Sequence, residues 1–159
     1  MGHEYYATVH WERDGEPFAD NRYSRGHIWR FDEGVEVAAS SSPLHVPVGS
    51  VAAAVDPEEA FVAALSSCHM LFFLYLAARR GFVVEDYTDK AVGHMTKNER
   101  GKDFISKVVL NPHVVFRGDA RPNDADVAAL HHRAHEECFL ANSVKSEVVV
   151  GSSTIAFVP

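Results

Sequence analysis

The chain has 159 residues, of which 47% are hydrophobic and 23% charged, and its formal net charge at pH 7 is −7. This length and composition are typical of one globular domain, so we expect a single domain over residues 1–159. The acidic balance and the lack of any lysine or arginine run argue against nucleic acid as a partner.

The first forty residues are predicted to form a meander of antiparallel strands. Residues 4–13 alternate in polarity as a half-buried strand does, and Asp14-Gly15 supplies a turn. After an irregular polar stretch, two further strands are predicted at residues 27–31 and 35–39, separated by a tight turn.

Residues 56–81 carry the signals of a long helix. Asp56-Pro57 provide an N-cap and a first helical residue, acidic residues follow in the first turn, and Gly81 is a C-cap. Almost every residue between these signals is apolar, so we expect the helix to be buried nearly all round.

A membrane span is the alternative interpretation of this helix, because residues 61–78 approach the necessary length. The polar run Ser66-Ser67-Cys68-His69 at its centre, and the lack of a second such segment, favour a core helix. We therefore expect no membrane partner.

The second half of the chain returns to strands. A short strand or linker follows Gly81, and residues 90–96 and 104–117 are predicted to form a hairpin, with Pro112 at an edge or bulge. A second helix from Asn123 to about Phe139 and a last strand at residues 143–150 complete the order. Strands, helix, strands, helix and strand indicate an α+β fold with largely antiparallel pairing.

Cys68 and Cys138 are the two cysteines of the chain. The N-terminus does not resemble a signal peptide, so we expect a reducing cytoplasm, where a disulfide is more often catalytic or redox-sensing than structural. Cys68 lies mid-helix, gains little from the helix dipole, and needs a cation from elsewhere to act as a nucleophile. Cys138 lies near a helix C-terminus, which disfavours a thiolate. If the two work together, Cys68 attacks and Cys138 resolves; inert packing of Cys68 is the alternative.

Arg22, Arg25 and Arg30 are the candidate cations, and Arg25 is preferred because it lies in an irregular loop between strands. Glu58 lies ten residues before Cys68, roughly 15 Å along one helix and on a different face. Glu58 can therefore reach only the Cys68 of a second, antiparallel copy, where it could hold an arginine in place. The alternatives are a solvated loop arginine and an acid that only stabilises the helix start.

His131, His135 and Cys138 share one face of the second helix at i, i+4 and i+7, which makes a metal site conceivable. No other motif supplies further ligands, so we expect no metal. Nucleotide-binding loops, a serine-hydrolase elbow and a zinc-protease motif are also missing from the sequence, and we expect no cofactor.

Each cysteine lies in or near two characteristic runs: DPEE at 56–59 and SSCHML at 66–71, then AHEEC at 134–138 and ANSV at 141–144. Together these runs resemble the OsmC/Ohr family of thiol peroxidases. The resemblance covers nearly the whole chain and is strongest to the general OsmC-like branch. It implies an intertwined homodimer, in which two central helices pack between curved sheets and the active sites lie at the dimer interface.

The resemblance also implies an activity, namely reduction of organic hydroperoxides with an external dithiol as reductant. Cys68 would be the peroxidatic residue and Cys138 the resolving one, while Glu58 would orient an arginine. That arginine would be Arg25, with Arg22 as the second choice. An OsmC-like protein that binds a small apolar ligand or senses oxidants, with little peroxidase activity, is the alternative.

Overall fold

The structure, a computed structural model, describes residues 2–159. These residues form an α+β fold with two α-helices and three small sheets, as the sequence predicts. They divide into two compact units, one that ends at Ala60 and one that spans Phe61–Pro159. The long central helix runs from the end of the first unit into the second.

The first unit contains the predicted meander. Its three strands form an antiparallel sheet in the order β1-β2-β3, with β1 at Ala7–His10, β2 at His27–Phe31 and β3 at Glu36–Ala39. β1 is shorter than the predicted strand at residues 4–13.

The central helix, α1 (Pro57–Arg79), begins and ends as predicted. The Asp56 carboxylate accepts a hydrogen bond from the Glu59 amide at 2.8 Å, and the Glu59 carboxylate accepts one from the Asp56 amide at 3.3 Å. This is a capping box. At the other end Gly81 adopts φ = 78°, and the Phe82 amide donates to the Ala77 carbonyl at 3.0 Å, which closes the helix as a Schellman motif.

The second unit holds two three-stranded sheets. One has the order β4-β7-β9, with strands at Val83–Asp89, Pro112–Arg117 and Thr154–Val158. The other has the order β5-β6-β8, with strands at Val92–Lys97, Asp103–Leu110 and Glu147–Val150. In each sheet one pairing is antiparallel and the other, β7 with β9 or β6 with β8, is parallel.

Two details of these sheets differ from the sequence prediction. The predicted hairpin arm at residues 104–117 is two strands in different sheets, because the chain changes sheet at Asn111. There the backbone N–H of Asn111 donates to the Asp89 carboxylate at 2.6 Å. The second difference is β9, which the sequence did not indicate. Its pairing partner β7 is about forty residues away, so no hairpin signal marks it.

The second helix, α2 (Asp124–Glu137), starts at a capping box between Asn123 and Asp126. Its apolar face packs against α1 and β7 in the main core of the second unit. The buried members of this core are Phe73, Ala77, Val114, Phe116, Val127, Leu130 and Ala134.

The expectation that α1 is buried nearly all round is wrong for a single chain. Only one stripe with a four-residue spacing is buried, namely Leu65, His69, Phe73 and Ala77. On the opposite face Leu71 is 62% exposed and Tyr75 is 55% exposed. By length and composition α1 could cross a membrane, but this is weak evidence because the core helix of a soluble protein passes the same test.

A buried histidine pair joins α1 to α2. His69 Nε2 lies 3.0 Å from His131 Nδ1, and His131 Nε2 lies 3.0 Å from the Ser153 hydroxyl. Burial lowers the pKa of both imidazoles to about 4. The nearby His135 lowers the pKa of His69 further, and Asp89 opposes this effect. Both histidines are therefore neutral at pH 7.

This pair predicts a loss of stability in mild acid. In the unfolded chain both groups titrate near the ordinary value of 6.5, so below that pH the unfolded state binds more protons than the folded state. The contribution of the pair is complete above about pH 6.5 and is lost as the pH falls towards 4, on the order of a few kcal/mol in total.

Urea unfolding between pH 7 and pH 4.5 measures this loss. His69→Gln should reduce the pH dependence, because the amide does not titrate, whereas His132→Gln on the exposed side of α2 should leave it unchanged. Equal acid sensitivity in the wild type and His69→Gln would contradict the assignment.

Candidate functional site

The structure brings the two cysteines together. Cys68 is half-buried in the middle of α1, and Cys138 is the C-cap of α2 and 1% exposed. Both are free thiols. The pKa of Cys138 is raised, first by burial and next by a hydrogen bond with Cys68, while a hydrogen bond from the Ala141 amide at 3.4 Å acts in the opposite direction. Cys138 is thus a neutral thiol at pH 7 with Cys68 as its neighbour.

Local sequence explains how Cys138 reaches this position. The α2 helix ends at Glu137, and the Cys138 backbone turns to an extended conformation with φ = −65° and ψ = 109°. The Asn142 side chain then donates to the Cys138 carbonyl at 3.0 Å and to the Glu136 carbonyl at 2.9 Å. This asparagine holds the turn that follows the cysteine, and it belongs to the ANSV run.

Two phenylalanines form an apolar wall beside the thiols. Phe72 lies one turn after Cys68 on α1, and Phe139 directly follows Cys138. Their ring centroids are 5.1 Å apart in an edge-to-face arrangement, and Phe139 is 69% exposed. A cavity of about 550 Å³ between α1 and α2 is lined by Phe72 but also by charged side chains, and neither cysteine belongs to its lining. The two rings, and not this cavity, therefore provide the apolar surface beside the thiols.

Polar side chains hold the helix segment that carries Cys68. The Ser66 hydroxyl donates to the Asp89 carboxylate at 2.5 Å, and the other oxygen of Asp89 accepts from the Asn111 amide. Sequence reasoning missed Asp89 and Asn111, because they lie at strand ends more than twenty residues from Cys68 and form no local motif.

Arg25 lies in the first unit, where its guanidinium forms hydrogen bonds and a cation–π contact with neighbouring residues of that unit. Nη1 donates to the Val48 carbonyl at 2.7 Å, Nη2 donates to Asn21 Oδ1 at 2.8 Å, and the group lies over the Tyr23 ring at 4.6 Å. The neighbouring Gly49 has φ = 80°, and a Cβ there would lie 2.2 Å from the Tyr23 carbonyl oxygen. Arg25 and Gly49 thus connect two segments of this unit.

The two other candidate arginines differ in their partners. Arg30 forms an ion pair with Glu36 at 2.5 Å. Arg22 is exposed, and within residues 2–159 its guanidinium takes part in no ion pair and no side-chain hydrogen bond. Glu58 is half-buried on the first turn of α1. Roles for Arg25, Arg22 and Glu58 beside Cys68 stay predictions.

The conceivable metal site does not form. His131 faces His69 and Ser153, His135 is exposed, and no group of three or more potential ligands in the described part of the chain could hold a metal ion.

Comparisons with known proteins identify the family. Residues 49–153 match the OsmC-like protein family. An OsmC-like protein of unknown function from Vibrio cholerae has a similar structure, with 55% identity over 97% of this chain and 99% of the other and a TM-score of 0.92. Among curated proteins, none matches the chain at a significant level.

More distant structures share the fold alone. An organic hydroperoxide resistance protein from Legionella pneumophila has 17% identity over 97% of each chain and a TM-score of 0.63. The organic hydroperoxide resistance protein of Bacillus subtilis has 16% identity over 98% of each chain and a TM-score of 0.60. With the family match over residues 49–153 and the close Vibrio relative, these findings show that the chain belongs to the OsmC-like family.

Proposed function

We propose that this protein is a cytoplasmic thiol peroxidase that reduces organic hydroperoxides, and that residues 1–159 act as one OsmC-like domain. The observation that carries the proposal is the contact between the Cys68 and Cys138 thiols, in which Cys138 is buried with a raised pKa. The names of the Legionella and Bacillus proteins support the substrate class.

The proposed reaction uses each thiol once. The Cys68 thiolate attacks one oxygen of the hydroperoxide, the O–O bond breaks, and the departing alkoxide takes a proton to become the alcohol. Cys68 is left as a sulfenic acid. The Cys138 sulfur then attacks the Cys68 sulfur, a disulfide forms, and water leaves with the Cys138 proton. An external dithiol reduces the disulfide by thiol–disulfide exchange.

The surroundings of the thiols favour a hydroperoxide with an apolar substituent. The edge-to-face pair of Phe72 and Phe139 adjoins both cysteines and offers a contact surface for an alkyl chain. Hydrogen peroxide is small and strongly hydrated and gains nothing from such a wall. Comparable rates with hydrogen peroxide and a bulky organic hydroperoxide would argue against this preference.

A homodimer is the second part of the proposal. The face of α1 opposite the buried stripe is exposed and mostly apolar, and its members at helical spacing are Ala64, Ser67, Leu71, Tyr75 and Ala78. A second, antiparallel copy of α1 would cover this face, and the apolar area supports association. Separately, on the resemblance to the family, we propose that Glu58 of one protomer approaches Cys68 of its partner, where it could orient an arginine.

A ligand-binding or oxidant-sensing protein is the second candidate function. A cavity of about 630 Å³ in the second unit, lined by strands β8 and β9 and by one side of α2, is large enough for a small ligand. If the protein only binds a ligand, hydroperoxide would leave the thiols unreacted.

The thiol chemistry gives the first test. Reduced protein treated with one equivalent of an alkyl hydroperoxide should lose both free thiols and gain an intramolecular Cys68–Cys138 disulfide, detected by mass. Cys68→Ser should lower turnover by about 10³-fold or more, because it removes the nucleophile. Cys138→Ser should still consume one equivalent but accumulate the sulfenic acid. Undiminished turnover in Cys68→Ser would rule out this mechanism.

The arginines give the second test. If Arg25 supplies the positive charge, Arg25→Ala should lower kcat/KM with an organic hydroperoxide by about 10²-fold, since one charged group that stabilises a developing charge contributes about this much. Arg25→Lys retains the charge and serves as the conservative variant, and Arg30→Ala is the control. A large loss of kcat/KM in Arg22→Ala, with little change in Arg25→Ala, would assign the positive charge to Arg22 instead. Within the described residues the Arg22 guanidinium has no hydrogen bond or ion pair to give up.

Subunit mixing tests the shared active site. Cys68→Ser and Glu58→Ala should each be inactive, but a mixed dimer contains one site with an intact Cys68 and an intact Glu58 from different protomers. After denaturation and refolding of an equal mixture, about a quarter of wild-type activity should return. No recovery in proven mixed dimers, or full activity in a monomer, would exclude the shared site.

A further inference from the structure

The proposed reaction does not use the polar chain His69–His131–Ser153, which runs from α1 through α2 to the loop between β8 and β9. Both imidazoles are almost fully buried, at 1% and 4% exposure. Within the described residues, His69 Nδ1 has no hydrogen-bond partner. These hydrogen bonds therefore join the two helices, but they leave His69 Nδ1 buried without a hydrogen-bond partner among the described residues.

Apolar side chains could fill the same space. The Phe73 ring stacks on the His131 ring with centroids 4.4 Å apart, and His69 belongs to the buried stripe of α1. Replacing buried polar pairs with apolar side chains of similar size is often neutral or stabilising, so packing alone does not explain the imidazoles. Hydrogen bonds differ from apolar contacts in that they fix direction and distance.

The position of the pair relative to the thiols is informative. On α1 the contact residues Cys68 and His69 are adjacent, whereas on α2 their partners Cys138 and His131 are seven residues apart. Seven residues are nearly two helical turns, so the two α2 contacts lie on one face about 10 Å apart. Two contacts with this spacing fix α2 both along and about its axis relative to the segment that carries Cys68.

A second set of hydrogen-bonded polar side chains supports the same segment of α1. It starts at Ser66, passes through Asp89 and Asn111, and reaches Ser152, whose hydroxyl lies 3.2 Å from Asn111 Oδ1. Both sets thus start within two residues of Cys68 and end at the neighbouring serines Ser152 and Ser153 of the β8–β9 loop.

We propose that His69 and His131 are positioning residues for the thiol pair: their hydrogen bond sets the register of α2 on α1 that brings Cys138 to Cys68. This inference rests on the proposed use of Cys68 and Cys138 as a redox pair. Loss of the hydrogen bond would leave both thiols in place but lower the probability that they meet in a geometry suitable for a disulfide.

The test is the equilibrium with glutathione, in which the protein dithiol and oxidised glutathione exchange for the protein disulfide and two molecules of reduced glutathione. His69→Leu and His131→Leu should keep the fold and lower this equilibrium constant by about tenfold or more. His69→Gln should stay within about threefold of the wild type, because its amide reaches the position of Nε2. His132→Leu, on the exposed side of α2, is the matched control and should not change the constant.

A second pair of variants covers the case in which the leucine variants do not fold. His69→Asn is polar like His69→Gln but too short to reach His131, so it should show the loss that His69→Gln avoids. Equal constants for His69→Asn and His69→Gln, or wild-type constants in folded leucine variants, would overturn the proposal. Glutathione exchange needs no hydroperoxide, so these results remain interpretable if the peroxidase proposal fails, and an inactive peroxidase does not affect them.

Discussion

The structure depends on the burial of one apolar helix. α1 has almost no polar face, and one chain covers only the stripe of Leu65, His69, Phe73 and Ala77. The core of the second unit is built on this stripe, with α2 and strand β7 packed against Phe73 and Ala77. The opposite face, with Leu71 and Tyr75, remains exposed, and this excess of apolar surface is the physical reason to propose a second copy.

The same packing creates the thiol site. Cys68 lies between the buried and the exposed faces of α1, so it is half-buried, while Cys138 is carried into the interior at the end of α2. Burial keeps Cys138 protonated, which suits a resolving thiol but not an attacking one. The asymmetry between the two cysteines therefore follows from where the helices place them.

The proposed mechanism needs a positive charge near Cys68, and the three candidate arginines all lie in the first unit. A thiol in mid-helix receives little help from the helix dipole. The sequence favours Arg25, yet its guanidinium donates hydrogen bonds to Val48 and Asn21. Within the described residues the Arg22 guanidinium forms no ion pair and no hydrogen bond. An arginine that already stabilises its own loop can act on a thiol only by leaving these partners or by adding a further contact.

The sequence by itself determined the α+β class, both ends of α1, the start of α2 at Asn123 and the two cysteines, because caps, turns and motifs are local signals. It also indicated the family, through the runs around Cys68 and Cys138. Only the tertiary structure decided the sheet change at Asn111, the parallel strand β9 and the polar chains through Asp89 and His131. These features join residues that are twenty to sixty positions apart, and local periodicity carries no information about such pairings. The contact between Cys68 and Cys138 is of this kind, since it exists only because α2 packs against α1.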